Sequence, residues 1–330
     1  MSIDVFNHFM PKPYLDRLAE IIPGHIAVTG FPRLKTICDV DARLRLLDEF
    51  PGLVQVLSLA NPPIELIAGP DRTPDLAKLA NDSLAAVCAR HPDRFPAFIA
   101  SLPMNNVPAA VAEIDRAIAM GARGIQLFTN VAGEPLSLPK YRPVFQAMAR
   151  HDLPVWVHPM RTQQFSDYAS EAESHDEIWF SFGWPYETTA CMTRLIYSGL
   201  LDELPGLKII THHYGGMIPF FAGKIDLGFR QIFFGTADTN PAAEGLKRKP
   251  RDYYEMLYAD TALNGEVAAT RCGHAFFKTA HTLFASDAPF DPQGGRQLIA
   301  GTLAAVAALE LPDAERERIL TGNAKALLRL

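Results

Sequence analysis

The 330-residue sequence predicts an α/β fold, a distorted TIM-type (β/α)8 barrel, on the strength of two observations. First, eight short apolar runs alternate with amphipathic stretches, a pattern typical of parallel strands joined by right-handed helical crossovers. Second, no run is followed by the G-x-G-x-x-G pattern of an open nucleotide-binding sheet, and a barrel requires about 250 residues. The predicted strands lie within residues 3–6, 53–60, 95–102, 124–128, 154–158, 207–212, 255–260 and 282–287, and the main helical stretches are 41–50, 75–90, 107–120, 140–150, 188–201 and 295–309.

Two segments between the predicted strands are longer than a minimal barrel needs. Residues 9–51 form a helical insertion after strand 1, and residues 162–185 form a polar, aromatic-rich loop insertion after strand 5. Long loops at this end of a barrel build lids and substrate walls. The chain shows no internal repeat and no linker-like composition break, so we predict a single domain over residues 1–330.

Composition and charge exclude several classes of protein. Hydrophobic residues make up 48% of the chain and charged residues 21%, as in an ordinary soluble globular protein. The net charge of −6, without a basic run, argues against a nucleic-acid partner. The most apolar segment, 298–309, is too short to span a bilayer, and Met1 leads directly into the first strand with no room for a signal peptide. We therefore expect a cytoplasmic protein with no membrane partner.

Histidines collect at the carboxyl ends of the predicted strands, where barrel enzymes carry their active sites. His8 follows the first run, His158 ends the fifth, His212 and His213 end the sixth, and Asp287 ends the eighth. Imidazole and carboxylate groups are ligands of Zn²⁺ and Mn²⁺, and a catalytic site needs about three of them. Taken singly, His158 also fits a core histidine and Asp287 a helix cap. Because these groups are expected to meet at the carboxyl-terminal opening of the barrel, together they favour a metal site.

The same segments resemble the amidohydrolase superfamily. Within it, the sequence is similar to the branch that contains aminocarboxymuconate-semialdehyde decarboxylase, γ-resorcylate decarboxylase and 5-carboxyvanillate decarboxylase. The resemblance covers nearly the whole chain. It is carried by residues 3–9 (Ile-Asp-Val-Phe-Asn-His-Phe), 157–159 (Val-His-Pro), 182–188 (Phe-Gly-Trp-Pro-Tyr-Glu-Thr), 213–216 (His-Tyr-Gly-Gly), 286–289 (Ser-Asp-Ala-Pro) and 319–324 (Ile-Leu-Thr-Gly-Asn-Ala).

The resemblance implies a role for each of these polar groups. His8, His158 and Asp287 are the implied ligands of a divalent metal, Zn or Mn; Asp287 is also the implied proton donor, and His213 the second catalytic residue. The implied reaction is non-oxidative decarboxylation of a hydroxylated aromatic or muconate-like carboxylic acid. Because the same kind of site can activate water, the alternative is a hydrolase or hydratase acting on an aromatic ring-cleavage product.

The sequence departs from the family pattern at its first strand. The family carries His-x-His or Glu-x-His there, whereas this chain has Phe6 before His8. Either the three remaining ligands hold the metal more weakly, or the metal is lost and Phe6 packs against an aromatic substrate in a site that works by acid–base chemistry. A third reading, a protein that only binds its ligand, is disfavoured by the gathering of so many polar groups.

Substrate contacts are expected from the loop after the fifth strand. An anionic substrate needs a cation, and Arg161 is the candidate, although an exposed loop arginine is equally consistent. Trp184 is the aromatic wall candidate, although aromatic residues in a long loop also serve packing or dimer contacts. The family resemblance implies a homo-oligomer, a dimer or tetramer, acting on a small carboxylic acid.

Overall fold

A computed structural model describes residues 1–229 and 245–330. Its strands are β1 (Ser2–Asp4), β2 (His8–Phe9), β3 (Leu53–Gln55), β4 (Ser58–Leu59), β5 (Phe98–Ser101), β6 (Ala122–Phe128), β7 (Asn130–Val131), β8 (Glu134–Pro135), β9 (Val155–His158), β10 (Ile209–Thr211), β11 (Tyr258–Asp260) and β12 (Thr282–Leu283). Its α-helices are α1 (Lys12–Ile21), α2 (Ile26–Thr29), α3 (Val40–Asp48), α4 (Thr73–Arg90), α5 (Val107–Ala119), α6 (Arg142–His151), α7 (Ile178–Ser181), α8 (Gly183–Tyr197), α9 (Leu200–Glu203), α10 (Ala222–Phe229), α11 (Pro250–Tyr254), α12 (Val267–Phe277), α13 (Arg296–Ala307), α14 (Asp313–Glu317) and α15 (Asn323–Leu328).

Parallel strands form a closed wall. Six of them pair in the order β12-β11-β10-β9-β6-β5, while β1 pairs with β3 and β2 with β4. A bridge between Leu57 and Phe98 joins the second pair of short strands to β5. The wall closes where the Val5 amide donates a 3.0 Å hydrogen bond to the Phe284 carbonyl. Each of the eight predicted runs holds strand residues, so the barrel prediction is confirmed.

The barrel interior follows the two-residue alternation of its strands. On β9, Trp156 belongs to the interior apolar cluster, whereas Val155 and Val157 pack outward against the helices. The same alternation aims the side chain of His158 at the carboxyl end of the interior, one layer above Trp156. The interior cluster consists of Ile3, Val5, Phe6, Val56, Ala97, Ile99, Trp156, Ile210, Ala262, Leu283, Ala285, Ala324, Leu327 and Leu328.

Both predicted insertions are present. Residues 9–51 contain α1, α2 and α3, and α1 buries Tyr14 and Leu18 in a separate apolar cluster with Ile64 and Leu76. Residues 162–185 form a loop that contains α7. One predicted boundary is wrong, because α8 begins at Gly183 and not at residue 188. Pro185 is tolerated there since the first helical turn leaves its amide positions unbonded in any case.

Within residues 1–229 and 245–330, no helix combines the length and apolar character required to cross a bilayer. The assignment of residues 1–330 to a single domain stays a prediction.

Candidate active site

The predicted ligand residues converge at the carboxyl end of the barrel. His8 lies in β2, His158 ends β9, and Asp287 follows β12. Their nitrogen and oxygen ligand atoms all lie within 4.8 Å of one another. A second group with the same spacing, His212, His213 and Asp287, shares the carboxylate. Asp287 is therefore the centre on which four imidazoles converge.

Three histidines surround the carboxylate of Asp287. It accepts a hydrogen bond from His8 Nε2 at 2.8 Å, and lies 3.4 Å from His213 Nε2 and 3.5 Å from His212 Nε2. Burial acts to raise the pKa of Asp287, but its hydrogen bonds to the three imidazoles outweigh burial and hold the pKa well below its ordinary value. The side chain is thus ionised at neutral pH.

His158 and His8 have nitrogens that are free to bind a ligand. His158 Nδ1 donates to the Pro159 carbonyl at 2.7 Å, which leaves the Nε2 lone pair free. Burial lowers the pKa of His158, so the ring stays neutral. His8 directs Nε2 at the Asp287 carboxylate, 2.8 Å away, and its Nδ1 is buried without a hydrogen-bond partner among the described residues. Two imidazoles beside an ionised carboxylate are a ligand set that fits a divalent cation.

Sequence reasoning missed the partner of His212. His212 Nδ1 donates a short hydrogen bond to Asp260, which ends β11, and the same carboxylate accepts the His213 amide at 3.0 Å. Burial of His212 favours its neutral form, but the charges of Asp260 and Asp287 raise its pKa to about 10. Asp260 thereby orients both histidines. Asp260 ends the seventh predicted run, and this position was the sequence signal that could have identified it as a site residue.

Phe6 forms the floor beneath the imidazoles. Its ring is completely buried, with ring centroids 4.3 Å from His212, 5.1 Å from His8 and 5.8 Å from His158. The ring occupies the top of the apolar barrel interior. Its described contacts are to side chains of the cluster, so direct packing against a substrate stays a prediction.

Arg161 and Trp184 lie on one side of this mouth. The Trp184 ring packs edge-on against His158 at 5.2 Å between centroids, and its Nε1 donates to the Arg161 carbonyl at 3.0 Å. The Arg161 guanidinium donates to Glu187 of α8 at 3.3 Å and lies over the Phe165 ring of the loop. A role in substrate binding stays a prediction for both residues.

A buried polar network behind the first strand was also missed. Arg43 of α3 donates to the His8 carbonyl at 2.5 Å, to Asn7 Oδ1 at 3.2 Å and to Gln55 Oε1 at 3.0 Å. Loss of hydration lowers the pKa of Arg43 to about 10, so it remains charged at neutral pH. The guanidinium fixes the backbone that carries His8. An arginine on an amphipathic helix gives no sequence signal for this role.

The network continues to the strand that carries Asp287. Gln55 Nε2 donates to Asp4 Oδ2 at 2.8 Å, and Asp4 accepts hydrogen bonds from the Ser286 amide at 3.0 Å and its hydroxyl at 2.6 Å. Burial raises the pKa of Asp4 to about 6, although these hydrogen bonds oppose the shift. Hydrogen bonds therefore link the first two strand segments of the barrel to the segment that carries Asp287, directly below the site.

The whole chain matches a known protein family. A family model described as amidohydrolase aligns with residues 3–330. The chain belongs to the amidohydrolase family. Among its amidohydrolase relatives, γ-resorcylate decarboxylase from Rhodococcus jostii is 32% identical over 304 residues, which cover 88% of each chain. The 2-amino-3-carboxymuconate-6-semialdehyde decarboxylase of Dictyostelium discoideum is 30% identical, over 100% of this chain and 92% of the relative.

Solved structures extend the comparison to the fold. A dihydroxybenzoic acid decarboxylase from Polaromonas sp. JS666 superposes with a TM-score of 0.79 at 27% identity, over 100% of this chain and 97% of the other. That structure contains bound manganese and the inhibitor 2-nitroresorcinol. The predicted resemblance to the decarboxylase branch of the amidohydrolases is confirmed.

Proposed function

We propose that this protein is a carboxy-lyase that removes CO₂ non-oxidatively from a hydroxylated aromatic carboxylic acid. The observation that carries the proposal is the convergence of His8, His158 and Asp287, with ligand atoms within 4.8 Å, in a chain whose relatives are named decarboxylases. In this reaction the bond between the ring and the carboxylate breaks. Its electron pair stays on the ring carbon, which takes up a proton as CO₂ leaves.

The residues present fit a divalent cation, and Mn²⁺ is the ion we propose. Two imidazoles and one carboxylate suit Mn²⁺ and Zn²⁺ alike, and the manganese of the Polaromonas structure favours the former. A cation held there would act as a Lewis acid on the substrate carboxylate and the adjacent hydroxyl oxygen. The Nε2 lone pair of His158, left free because Nδ1 donates to the Pro159 carbonyl, supports the assignment of His158 as a ligand.

Asp287 is proposed to deliver the proton to the ring. Because its pKa is held low by the three imidazoles, it must first be protonated. We propose that His213 relays this proton from solvent, since its side chain is 16% exposed and its Nε2 lies 3.4 Å from the carboxylate. Burial lowers the pKa of His213, so the neutral ring takes up a proton at one nitrogen as it gives up the proton at the other. Asp260 holds His213 in place through the backbone amide.

The substrate ring is proposed to bind above the imidazole cluster, against Trp184, whose ring packs on His158 with centroids 5.2 Å apart. Phe6 is completely buried beneath the imidazoles, so its proposed contribution is to support them from below and not to contact the substrate ring. Arg161 is proposed to attract the substrate carboxylate from the rim. Glu187 lies 3.3 Å from the Arg161 guanidinium and neutralises part of its positive charge. Arg161 is therefore proposed to raise the rate at which the anionic substrate approaches the site.

We also propose that the protein assembles into a homo-oligomer. The insertion after β9 exposes large aromatic side chains, Tyr168 at 69% and Phe182 at 66% of their surface, beside the mouth. Light scattering of the purified protein tests this, and a monomer at micromolar concentration would contradict it.

The decisive experiment measures CO₂ release from dihydroxybenzoates by the protein loaded with Mn²⁺ or Zn²⁺. Turnover with Mn²⁺, abolished by a chelator and by Asp287→Asn, is the expected result. Asp313→Asn is the matched control, because this aspartate is 92% exposed and far from the cluster in the chain. Water addition or ring opening without CO₂ release would favour the hydrolase alternative and contradict the proposal.

Restoring the missing family ligand tests the metal site. In Phe6→His, an added imidazole nitrogen at the floor of the cluster is expected to tighten Mn²⁺ binding about tenfold or more, equal to about 1.4 kcal/mol. Elemental analysis and equilibrium dialysis measure it. Unchanged metal affinity would show that Phe6 does not face the bound ion.

A further inference from the structure

His212 lies in the same layer of the barrel interior as His158. Ile210 of β10 pairs with Trp156 of β9, and both side chains belong to the interior cluster. His212 keeps extended backbone angles, with φ −78° and ψ 157°, so the alternation of β10 continues to it. Two residues beyond the interior pair, His212 and His158 therefore lie side by side, with ring centroids 5.0 Å apart.

The ring of His212 is oriented with one nitrogen directed at Asp287. Its Nδ1 donates to the carboxylate of Asp260, because an ionised carboxylate can only accept. Its buried Nε2 lies 3.5 Å from Asp287 Oδ1, too far for a well-formed hydrogen bond, and has no other partner among the described residues. A carboxylate on one ring nitrogen, with the other nitrogen unpartnered, is the usual arrangement of a metal-binding histidine.

Of the two histidines that follow β10, His212 is the one that faces the proposed metal ligands. Its Nε2 approaches Asp287 Oδ1, the oxygen that also accepts from His8 Nε2 at 2.8 Å. His213 Nε2 lies instead 3.4 Å from Oδ2, and its ring centroid is 6.4 Å from that of His158. The His213 side chain is also 16% exposed, against 2% for His212.

Phe6 occupies the same layer but has no atom that can bind a metal. Its ring centroid lies 4.3 Å from that of His212, closer than to those of His8 and His158. His212 is therefore the imidazole best placed to provide a ligand atom beside Phe6. We propose that His212 is a fourth protein ligand of the divalent cation, in addition to the three proposed above. The proposal rests on the proposed metal site and extends it.

A cation at His212 requires a neutral ring. In the metal-free protein the neighbouring carboxylates raise the pKa of His212 to about 10, so its Nε2 carries a proton. That proton leaves to solvent as the cation takes its place, since metal binding displaces protons from its ligands. Asp260 keeps its hydrogen bond to Nδ1 and so keeps the Nε2 lone pair directed at Asp287.

Mn²⁺ binding to His212→Gln tests the proposal without any turnover. Equilibrium dialysis gives the dissociation constant of Mn²⁺ for wild type and variant, and circular dichroism of the metal-free proteins shows whether both are folded. Loss of a residue that only orients a ligand weakens metal binding about 10- to 100-fold, so loss of a ligand should weaken it by about 10-fold or more. Equal dissociation constants would overturn the proposal.

His213→Gln is the matched control. It removes the neighbouring imidazole, whose Nε2 also lies close to Asp287. Its affinity for Mn²⁺ should match that of the wild type, although turnover should fall because His213 is the proposed proton relay. A loss of affinity in His213→Gln as large as that in His212→Gln would contradict the assignment to His212.

A count of bound nitrogens decides the question even if His212→Gln fails to fold. Pulsed electron paramagnetic resonance of Mn²⁺ in protein with isotopically labelled histidine detects each imidazole nitrogen bound to the ion. Three are expected in the wild type and in His213→Gln, and only two in either protein would overturn the proposal.

Failure of this proposal is distinguishable from failure of the proposed function. Wild-type protein that binds no Mn²⁺ would overturn the metal site and the role of His212 together. Intact Mn²⁺ binding without CO₂ release from any acid would overturn the decarboxylase function alone, and the nitrogen count would still decide the role of His212.

Discussion

Individual buried charges in this protein fall into two kinds, those with complete hydrogen-bond partners and those without. Arg43 and Asp4 are fully buried and both have hydrogen-bond partners: Arg43 donates to the His8 carbonyl and to Gln55, and Asp4 accepts from Gln55 and Ser286. Glu65 is nearly as buried, but one of its oxygens has no described partner. Satisfied groups stabilise the fold, whereas a buried group without a partner lowers the free energy of unfolding.

The unsatisfied carboxyl predicts a specific pH dependence of stability. Burial raises the pKa of Glu65 from 4.5 to about 7, so the folded protein holds a proton that the unfolded chain has lost between these values. Stability from this group is complete below pH 4.5 and is lost as the pH rises to about 7. Glu65→Gln should therefore match the wild type near pH 4 and exceed it by about 2–3 kcal/mol at pH 8.

Denaturant unfolding of metal-free wild type and Glu65→Gln across pH 4–8 measures this difference. Other titrating groups, including Asp4, cancel in the comparison because both proteins contain them. A constant difference between the two proteins at all pH values would contradict the expected shift.

Substitution of Arg43, in contrast to that of Glu65, is expected to lower the stability of the fold. Arg43→Met leaves the His8 carbonyl, Asn7 and Gln55 without their buried donor, and should lower the free energy of unfolding by about 3–5 kcal/mol. Arg45→Met, at an exposed position of the same helix, controls for the loss of charge and should change stability by less than about 0.5 kcal/mol. Equal effects of the two substitutions, measured by urea denaturation, would contradict the role of the network.

At the scale of elements, the turn after β10 is the most constrained part of the site. His213, Tyr214, Gly215 and Gly216 all have positive φ, at 52°, 48°, 74° and 62°. Non-glycine residues adopt this region at a cost, so surrounding contacts must enforce it. The Asp260 carboxylate supplies one by accepting the His213 amide. The turn thereby aims His213 at Asp287.

Gly216→Ala tests how tightly this turn is held. An added Cβ at Gly216 would lie 2.4 Å from the Pro185 carbonyl oxygen at the start of α8, so the turn must move. We expect a loss of about 2–4 kcal/mol in stability and a marked fall in activity.

Gly199→Ala is the control for an added Cβ that meets no neighbour. Gly199 has φ 73° and ψ 12°, in the left-handed helical region, whereas Gly216 has φ 62° and ψ −114°, and no atom lies within 4 Å of a Cβ added at Gly199. It should cost about 1–2 kcal/mol from backbone strain alone and leave activity intact. Thermal unfolding and the CO₂ assay separate the two variants, and equal effects would rule out the steric contact as the cause.

In the molecule as a whole, helix α15 closes one end of the barrel, and the imidazole cluster lies at the other. Helix α15 contributes Ala324, Leu327 and Leu328 to the interior cluster, and Asn323 donates to the carbonyls of Thr279 and Thr282 at 2.7 Å. The imidazole cluster lies at the opposite end, above Phe6. The apolar interior between them excludes water from beneath the site, which strengthens its electrostatic contacts.

Leu328→Ala should therefore destabilise the whole barrel. Leu328 is completely buried in the interior cluster, so its truncation leaves a cavity and should cost about 2–5 kcal/mol. Lys325→Ala, at an exposed position of the same helix, is the control and should be nearly neutral. Denaturant unfolding measures both, and a neutral Leu328→Ala would mean that α15 is not part of the cooperative core.

The spacing of apolar runs was enough to predict the barrel and most of the polar residues at its carboxyl end. Apolar runs at regular spacing require a parallel, helix-covered sheet, and the carboxyl end of each run can be read directly from the chain. His8, His158, His213 and Asp287 were found in this way because each terminates or directly follows a run. The family resemblance then supplied their predicted roles, which the geometry leaves as proposals.

The partners of these residues depend on packing between segments that are distant in the chain. Asp260 meets His212 because β10 and β11 are neighbours in the wall, with Thr211 paired to Ala259. Arg43 reaches the first strand from a helix 35 residues away in the chain. Because such contacts form only when distant segments pack together, no local pattern encodes which buried charge finds its hydrogen-bond partners.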